Sequence, residues 1–316
     1  MPLHPDIQAF LDQLSATVGV AATDDPIRDA RATHRQQVDI GNPEPTRVKV
    51  HQTEDTTIDT VPVRLYRPDD QPGHPVVVLL HGGGWMTGDL ETVDPLARFI
   101  AARLPAIVVA VDYRRAPEHP WPAPLDDART VTGWVLDHAE ELGGDPTRVV
   151  IAGDSAGGHL SALTAHLLAA DGDHRLALQI LLYPATSLTV DLQAFPSQAA
   201  YENEPMLGTD AVRGILPVVF PDERTRKTAV LLGRNHSSRL APAVIATAER
   251  DPLSDEGTQF ARELAAAGVT VSHHTGQELC HRYADVLGVS PRVQQELGDV
   301  IASAQSILTS STTTVS

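Results

Sequence analysis

The chain has 316 residues, 41 acidic and 24 basic, and a formal net charge of −17 at pH 7. That balance argues against nucleic acid as a partner, because phosphate affinity rests on clustered Lys and Arg. The single cysteine, Cys280, excludes an intrachain disulfide and a cysteine-rich zinc site.

At roughly 100–200 residues per domain, the length allows two domains or one large domain with an elaboration. The first ten residues carry Asp6 and no basic stretch ahead of an apolar one. No secretory signal is read there, and a cytoplasmic protein is expected. Residues 3–40 read as helical, with Ile7, Phe10, Leu11 and Leu14 at helical spacing. Gly41-Asn42-Pro43-Glu44-Pro45 breaks that pattern. It sets an expected boundary between N-terminal helices (1–45) and a main domain (46–316). Next, Val61, Val63 and Leu65 alternate with Pro62, Arg64 and Tyr66, a strand of an antiparallel edge hairpin.

Short continuous apolar runs follow at 76–80, 107–111, 149–152, 178–182, 244–246 and 269–271. The longest of them is far too short to span a bilayer. Helical stretches over 92–103, 123–141, 156–170 and 254–267 separate the runs. Runs without alternation fit strands buried on both faces, so the rhythm predicts an α/β fold with a mostly parallel central sheet. Residues 186–208, with Pro196, Pro205 and Gly208, lack a clear period. They read as an insertion beyond a strand's C-terminal end, well placed to cover a site. The chain ends in Ser and Thr and reads as frayed. The helix near 293–308 and the edge strand are the candidate surfaces for a homodimer.

The sharpest chemical signal is Gly153-Asp154-Ser155-Ala156-Gly157, directly after the 149–152 strand and opening a helix. A G-x-S-x-G sequence in that setting forces a tight turn that lifts the serine oxygen above the sheet. The helix N-terminus then brings amide N–H groups to where an oxyanion would form. The second signal is His81-Gly82-Gly83-Gly84-Trp85, after the 76–80 strand. Such a loop supplies further oxyanion donors in esterases and lipases. A phosphate loop is the competing reading, but no Gly-Lys-Ser/Thr follows and no G-x-G-x-x-G is completed.

A serine nucleophile needs a base, and the base an orienting acid. The two lysines, Lys49 and Lys227, are not near Ser155 in sequence, which disfavours a Ser–Lys pair. In the order Ser, acid, His, the candidates are Asp251, after the 244–246 strand, and His281, after the 269–271 strand and a loop. His273 and His274 compete, but fall almost inside a strand. Asp255 and Glu256 also compete, but read as serving the first turn of the next helix.

Together these residues resemble the hormone-sensitive-lipase-like branch of the α/β-hydrolases, the bacterial family IV esterases, over roughly residues 60–290. The similarity includes His81–Trp85, the stretch Val111-Asp112-Tyr113-Arg114-Arg115-Ala116-Pro117-Glu118-His119-Pro120, and Gly153-Asp154-Ser155-Ala156-Gly157-Gly158. It continues through Leu182-Tyr183-Pro184 and Asp251-Pro252-Leu253 with Asp255-Glu256-Gly257. The resemblance implies an α/β-hydrolase fold and a carboxylic-ester hydrolase with Ser155 as nucleophile, His281 as general base and acid, and Asp251 as its partner. It implies an oxyanion hole from the N–H groups of Gly83, Gly84 and Ala156, and needs no metal or cofactor. A cap is implied from the N-terminal helices and an insertion at about 186–215.

Three positions depart from the family pattern. Arg282-Tyr283 stands where Gly and Phe usually follow the histidine, and His159 replaces a common asparagine. Pointing inward, Arg282 would lower the His281 pKa or meet an acidic substrate; pointing to solvent, it would do neither. The Tyr113–Pro120 stretch reads as structural, with Glu118 and His119 tying a loop. Few aromatics predict a small-molecule ester with a short to medium acyl chain. Trp85, Asp154, Tyr183, Tyr201 and Met206 are the candidate pocket residues. An amidase or a deacetylase of acylated metabolites could use the same triad. A non-catalytic ligand receptor of this fold would be expected to have lost a triad member.

Overall fold

The computed structural model describes residues 2–17 and 23–312. The chain begins with two helices, α1 (Pro5–Thr17) and α2 (Pro26–Gly41), and a hairpin of β1 (Gln52–Ile58) and β2 (Val61–Arg67). Strands and helices then alternate: β3 (His74–Leu80), α3 (Leu90–Arg103), β4 (Ile107–Val111), α4 (Ala123–His138), β5 (Gly144–Asp154), α5 (Ala156–Ala170) and β6 (Leu176–Leu182). Three short helices follow, α6 (Pro196–Ala200), α7 (Thr209–Val219) and α8 (Glu223–Ala229). The chain finishes with β7 (Ala243–Arg250), α9 (Ser254–Ala266), β8 (Val271–Cys280) and α10 (Pro291–Thr312).

The strands form one eight-stranded sheet in the order β1-β2-β4-β3-β5-β6-β7-β8. The β1–β2 and β2–β4 pairs are antiparallel and the rest parallel. Along β3, Val76, Val78 and Leu80 enter one core with residues of α4, α5 and α9. Val77 and Leu79 enter a second core with residues of α3 and α10, joined by Ile7, Phe10, Leu11 and Leu14 of α1. Both faces are therefore dry, which is why these strands lack polar alternation. Each such side chain contributes about 1.5–3 kcal/mol of burial. Among the described residues no helix is long and apolar enough to cross a membrane.

The structure corrects the sequence reading in three places. The end expected to fray from Ser303 is helical as far as Thr312, where α10 ends, and 313–316 lie outside the described residues. The last strand is not the run at 269–271 but the ten residues of β8, and His281 follows it directly. β8 is an edge strand paired only with β7, and it carries Ser272, His273, His274 and Thr275 in half-buried or exposed positions, so no apolar run marks it. The segment after β6 is more helical than expected, and its helices run on to Ala229. Pro196 does not break structure there; it occupies the first turn of α6, where its missing N–H costs nothing.

Candidate active site

Ser155 stands between β5 and α5 with φ 52° and ψ −114°, a conformation that costs a non-glycine residue about 1–3 kcal/mol. The surroundings hold it there. Its N–H donates to the Leu182 carbonyl at 2.8 Å. A Cβ at Gly157 would run into the Leu80 carbonyl, and one at Gly153 into the Gly157 backbone. The two glycines thus let α5 start against the ends of β3 and β5.

Ser155 Oγ lies 2.8 Å from His281 Nε2, and His281 Nδ1 lies 2.6 Å from Asp251 Oδ2. All three side chains are buried. An ionised Asp251 only accepts, so Nδ1 carries the imidazole hydrogen and Nε2 faces the serine hydroxyl as an acceptor. Asp251 follows β7, and its other oxygen accepts the Leu253 N–H at 2.8 Å. The Tyr183 ring meets the His281 ring edge-on at 4.9 Å and backs it in place.

The competing residues are placed elsewhere. His273 Nε2 is 3.1 Å from the Thr247 hydroxyl, and His274 Nε2 is 3.0 Å from Ser303. Asp255 accepts the Ser197 N–H at 2.7 Å. Glu256 does more than serve a helix turn. It is buried and lines the cavity, and it accepts from the Thr186 N–H (2.6 Å), the Ser187 N–H (3.1 Å) and the Ser187 hydroxyl (2.5 Å). It thereby anchors the segment leaving β6.

Gly83 and Gly84, at φ 100° and 59°, line the cavity together with Ala156. The Gly82 carbonyl is 2.9 Å from His81 Nδ1, and the Gly83 carbonyl accepts from the Met86 and Thr87 N–H groups at 3.0 and 2.9 Å. In a trans peptide C=O and N–H point opposite ways, so these bonds turn the Gly83 and Gly84 N–H groups away from the loop's own acceptors. Burial pushes His81 down to about 3, so the ring is neutral and its hydrogen sits on Nδ1. Tyr113 stacks on that ring at 4.0 Å and donates to the His81 carbonyl at 2.7 Å.

The cavity beside Ser155 holds about 210 Å³. Of the expected pocket residues, Trp85 and Met206 line it and three others do not. Asp154 lies behind the glycine loop, where it accepts the Gly82 N–H at 2.7 Å. Tyr183 is packed beneath His281, and Tyr201 lies under the Arg250 guanidinium at 5.6 Å. The missed part is the wall of Val212, Ile215 and Leu216 from α7. Their spacing with Val219 is the helical signal that could have found them.

Arg282 lines the cavity in a left-handed conformation, φ 61°, but its charge is already engaged. One nitrogen donates to Gln37 Oε1 at 3.0 Å, and another lies 2.5 Å from Asp285 Oδ2. His159 is buried, with Nε2 2.9 Å from the Ala229 carbonyl and its ring between Trp85 and Trp121. Glu118 ties its loop to α2 through a two-pronged pair with Arg31. Among the described residues no group of three His, Cys, Asp or Glu side chains could hold a metal ion.

The chain is similar to proteins of known family. A family profile described as alpha/beta hydrolase fold matches residues 77–285. The carboxylesterase NlhH of Mycobacterium tuberculosis is 39% identical over 317 residues, covering 96% of this chain and 97% of that protein. The esterase LipI of the same organism is 39% identical over 234 residues, 72% of each chain. The solved structure of a hyperthermophilic esterase from the archaeon Pyrobaculum calidifontis superposes with a TM-score of 0.90 at 32% identity, covering 97% of this chain and 99% of that one. Matched over most of its length by the profile and nearly all of it by these relatives, the chain belongs to the α/β-hydrolase fold family, in its hormone-sensitive-lipase-like branch.

Proposed function

We propose that the protein is a carboxylesterase that hydrolyses short- to medium-chain acyl esters through an acyl-enzyme on Ser155. The observation that carries this is the unbroken hydrogen-bonded chain Ser155–His281–Asp251 opening onto a cavity of about 210 Å³. Ser155 Oγ attacks the ester carbonyl while His281 Nε2 takes its proton. Asp251 holds the imidazole orientation and stabilises the imidazolium. The N–H groups of Gly83, Gly84 and Ala156 receive the oxyanion, each worth about 3 kcal/mol of barrier. His281 then gives its proton to the departing alcohol oxygen. Water, deprotonated by His281, attacks the acyl-serine; the carboxylic acid leaves and Ser155 regains its hydrogen.

We read α1 and α2, with α6 to α8, as a cap over the catalytic sheet. The apolar side chains of Ile215 and Leu216 close the cavity on that side, which favours a short acyl group over a long lipid chain. The test is hydrolysis of p-nitrophenyl esters from acetate to palmitate by the wild type and Ser155→Ala. Turnover that peaks at short chains and vanishes in the variant is expected. Turnover that persists in Ser155→Ala, or rises steadily to palmitate, overturns the proposal.

A further inference from the structure

Helix α2 reaches the oxyanion loop through one buried side chain. His34 lies on the α2 face that also buries Val38 and Gly41. Its Nδ1 is 2.9 Å from Thr87 Oγ1, and Thr87 Oγ1 is 3.1 Å from the Gly83 carbonyl oxygen. That carbonyl can only accept, so Thr87 donates to it and His34 Nδ1 donates to Thr87. The opposite ring nitrogen, Nε2, is 3.6 Å from Asp285 Oδ2, outside hydrogen-bond range. Burial, helped by the Arg282 charge, holds the His34 pKa below its ordinary value against the opposing pull of Asp285; the Thr87 contact is what places a hydrogen on Nδ1.

The Gly83 carbonyl and the Gly84 N–H are the two ends of one planar peptide. Fixing the first aims the second, and the Thr87 hydroxyl is the third donor to that carbonyl, beside the Met86 and Thr87 N–H groups at 3.0 and 2.9 Å. The preceding peptide is fixed in the same manner by His81, whose Nδ1 is 2.9 Å from the Gly82 carbonyl. We propose that His34 is a positioning residue for ester hydrolysis: through Thr87 it orients the Gly83–Gly84 peptide, so that the Gly84 N–H faces the oxyanion. The inference rests on the esterase reading of Ser155. Helix α2 does not depend on His34 for its place. Arg31 Nε donates to the Met86 carbonyl at 2.8 Å, and its guanidinium grips both oxygens of Glu118.

The experiment measures kcat and KM on p-nitrophenyl acetate for the wild type, Ser155→Ala, His34→Ala, His34→Asn, His34→Gln and Thr87→Val. Inhibition by a trifluoromethyl ketone, which forms a tetrahedral adduct with the serine, is measured alongside. His34→Ala is expected to lower kcat about tenfold, the worth of one oriented hydrogen bond, with KM within about twofold. It should weaken the trifluoromethyl ketone by the same factor. The amide of His34→Asn sits where Nδ1 was and should restore most of kcat. The amide of His34→Gln sits nearer Nε2 and should not. Thr87→Val should match His34→Ala, and combining the two should add little.

Unchanged kcat in His34→Ala, a loss in KM alone, or rescue by Gln and not by Asn overturns the proposal. If His34→Ala does not fold, His34→Asn against His34→Gln, with Thr87→Val, decides the same point. A wild type that hydrolyses no ester removes the esterase reading and this inference with it. A wild type silenced by Ser155→Ala but indifferent at residue 34 removes only this inference.

Discussion

Asp154 is a carboxyl group in a place where charge is costly. Burial, with the negative charge of Asp285 adding to it, pushes its pKa up to about 7, although the Gly82 N–H favours the ionised form. In an unfolded chain an aspartate titrates near about 3.9. Between these values the folded protein holds one proton more than the unfolded chain. The stability this provides is therefore complete below about pH 4 and is lost as the pH rises through 7. From pH 5 to pH 7 the loss is about 2 kcal/mol. At an unfolding entropy of about 2.1 cal/mol/K per residue, a chain of 316 residues shifts about 1.5 °C in Tm per kcal/mol. Asp154→Asn keeps an oxygen for the Gly82 N–H and removes the titration. Circular dichroism melts of both proteins at half-unit steps isolate the group, since every other titration is shared. The Tm of the wild type should fall by about 3 °C relative to the variant between pH 5 and pH 7. Parallel curves across that window would refute the reasoning.

Leu216 and Thr189 line both the 210 Å³ cavity and an outer groove of about 490 Å³. Leu216→Ala should join the two and move the preferred p-nitrophenyl ester to a chain at least two carbons longer; an unmoved profile contradicts this. Asp251→Asn should lower kcat by about four orders of magnitude at neutral pH, because the amide no longer holds the imidazole tautomer. Stopped assays with p-nitrophenyl acetate check it, and a loss under tenfold would deny Asp251 the role. Gly157→Ala should destabilise the fold by more than about 3 kcal/mol, because its methyl would meet the Leu80 carbonyl and not a yielding side chain. A melting point within 2 °C of wild type, by the conversion of about 1.5 °C per kcal/mol, would show that the elbow relaxes.

What the sequence disclosed and what it hid have physical reasons. The serine turn and the glycine loop are each written in five consecutive residues after a doubly buried strand, so local chemistry carries them. Asp251 and His281 are recoverable from chain order, because parallel strands deliver their following loops to one edge of the sheet. β8 was misplaced because an edge strand needs only one dry face and shows no apolar run. Asp154 adjoins Ser155 in sequence, yet it faces the back of the oxyanion loop. Glu256 looked like a helix-start acid, and only the folded chain brings Thr186 and Ser187 to it. The α7 wall was hidden because a roof helix is defined by what lies beneath it. There Ile215 packs over Gly84, with a side-chain carbon 3.1 Å from where a Cβ would stand.

Arg282 shows how a departure from the family pattern is accommodated. The position has φ 61°, which glycine adopts freely and arginine only at a cost of about 1 kcal/mol. A bulky cation also stands beside His281. Two contacts offset both disadvantages. Burial works to raise the Asp285 carboxyl, but Arg282 and His34 together outweigh it and hold the group below the usual carboxylate range, so the charge of Arg282 meets an ionised partner. The Gln37 amide oxygen takes a further N–H at 3.0 Å. Gln37 belongs to α2, one turn beyond His34. The same helix therefore grips the turn after His281 through Gln37 and the oxyanion loop through His34. The two halves of the active site, one ending β8 and the other ending β3, are held in register by a helix that contributes no reacting atom to either.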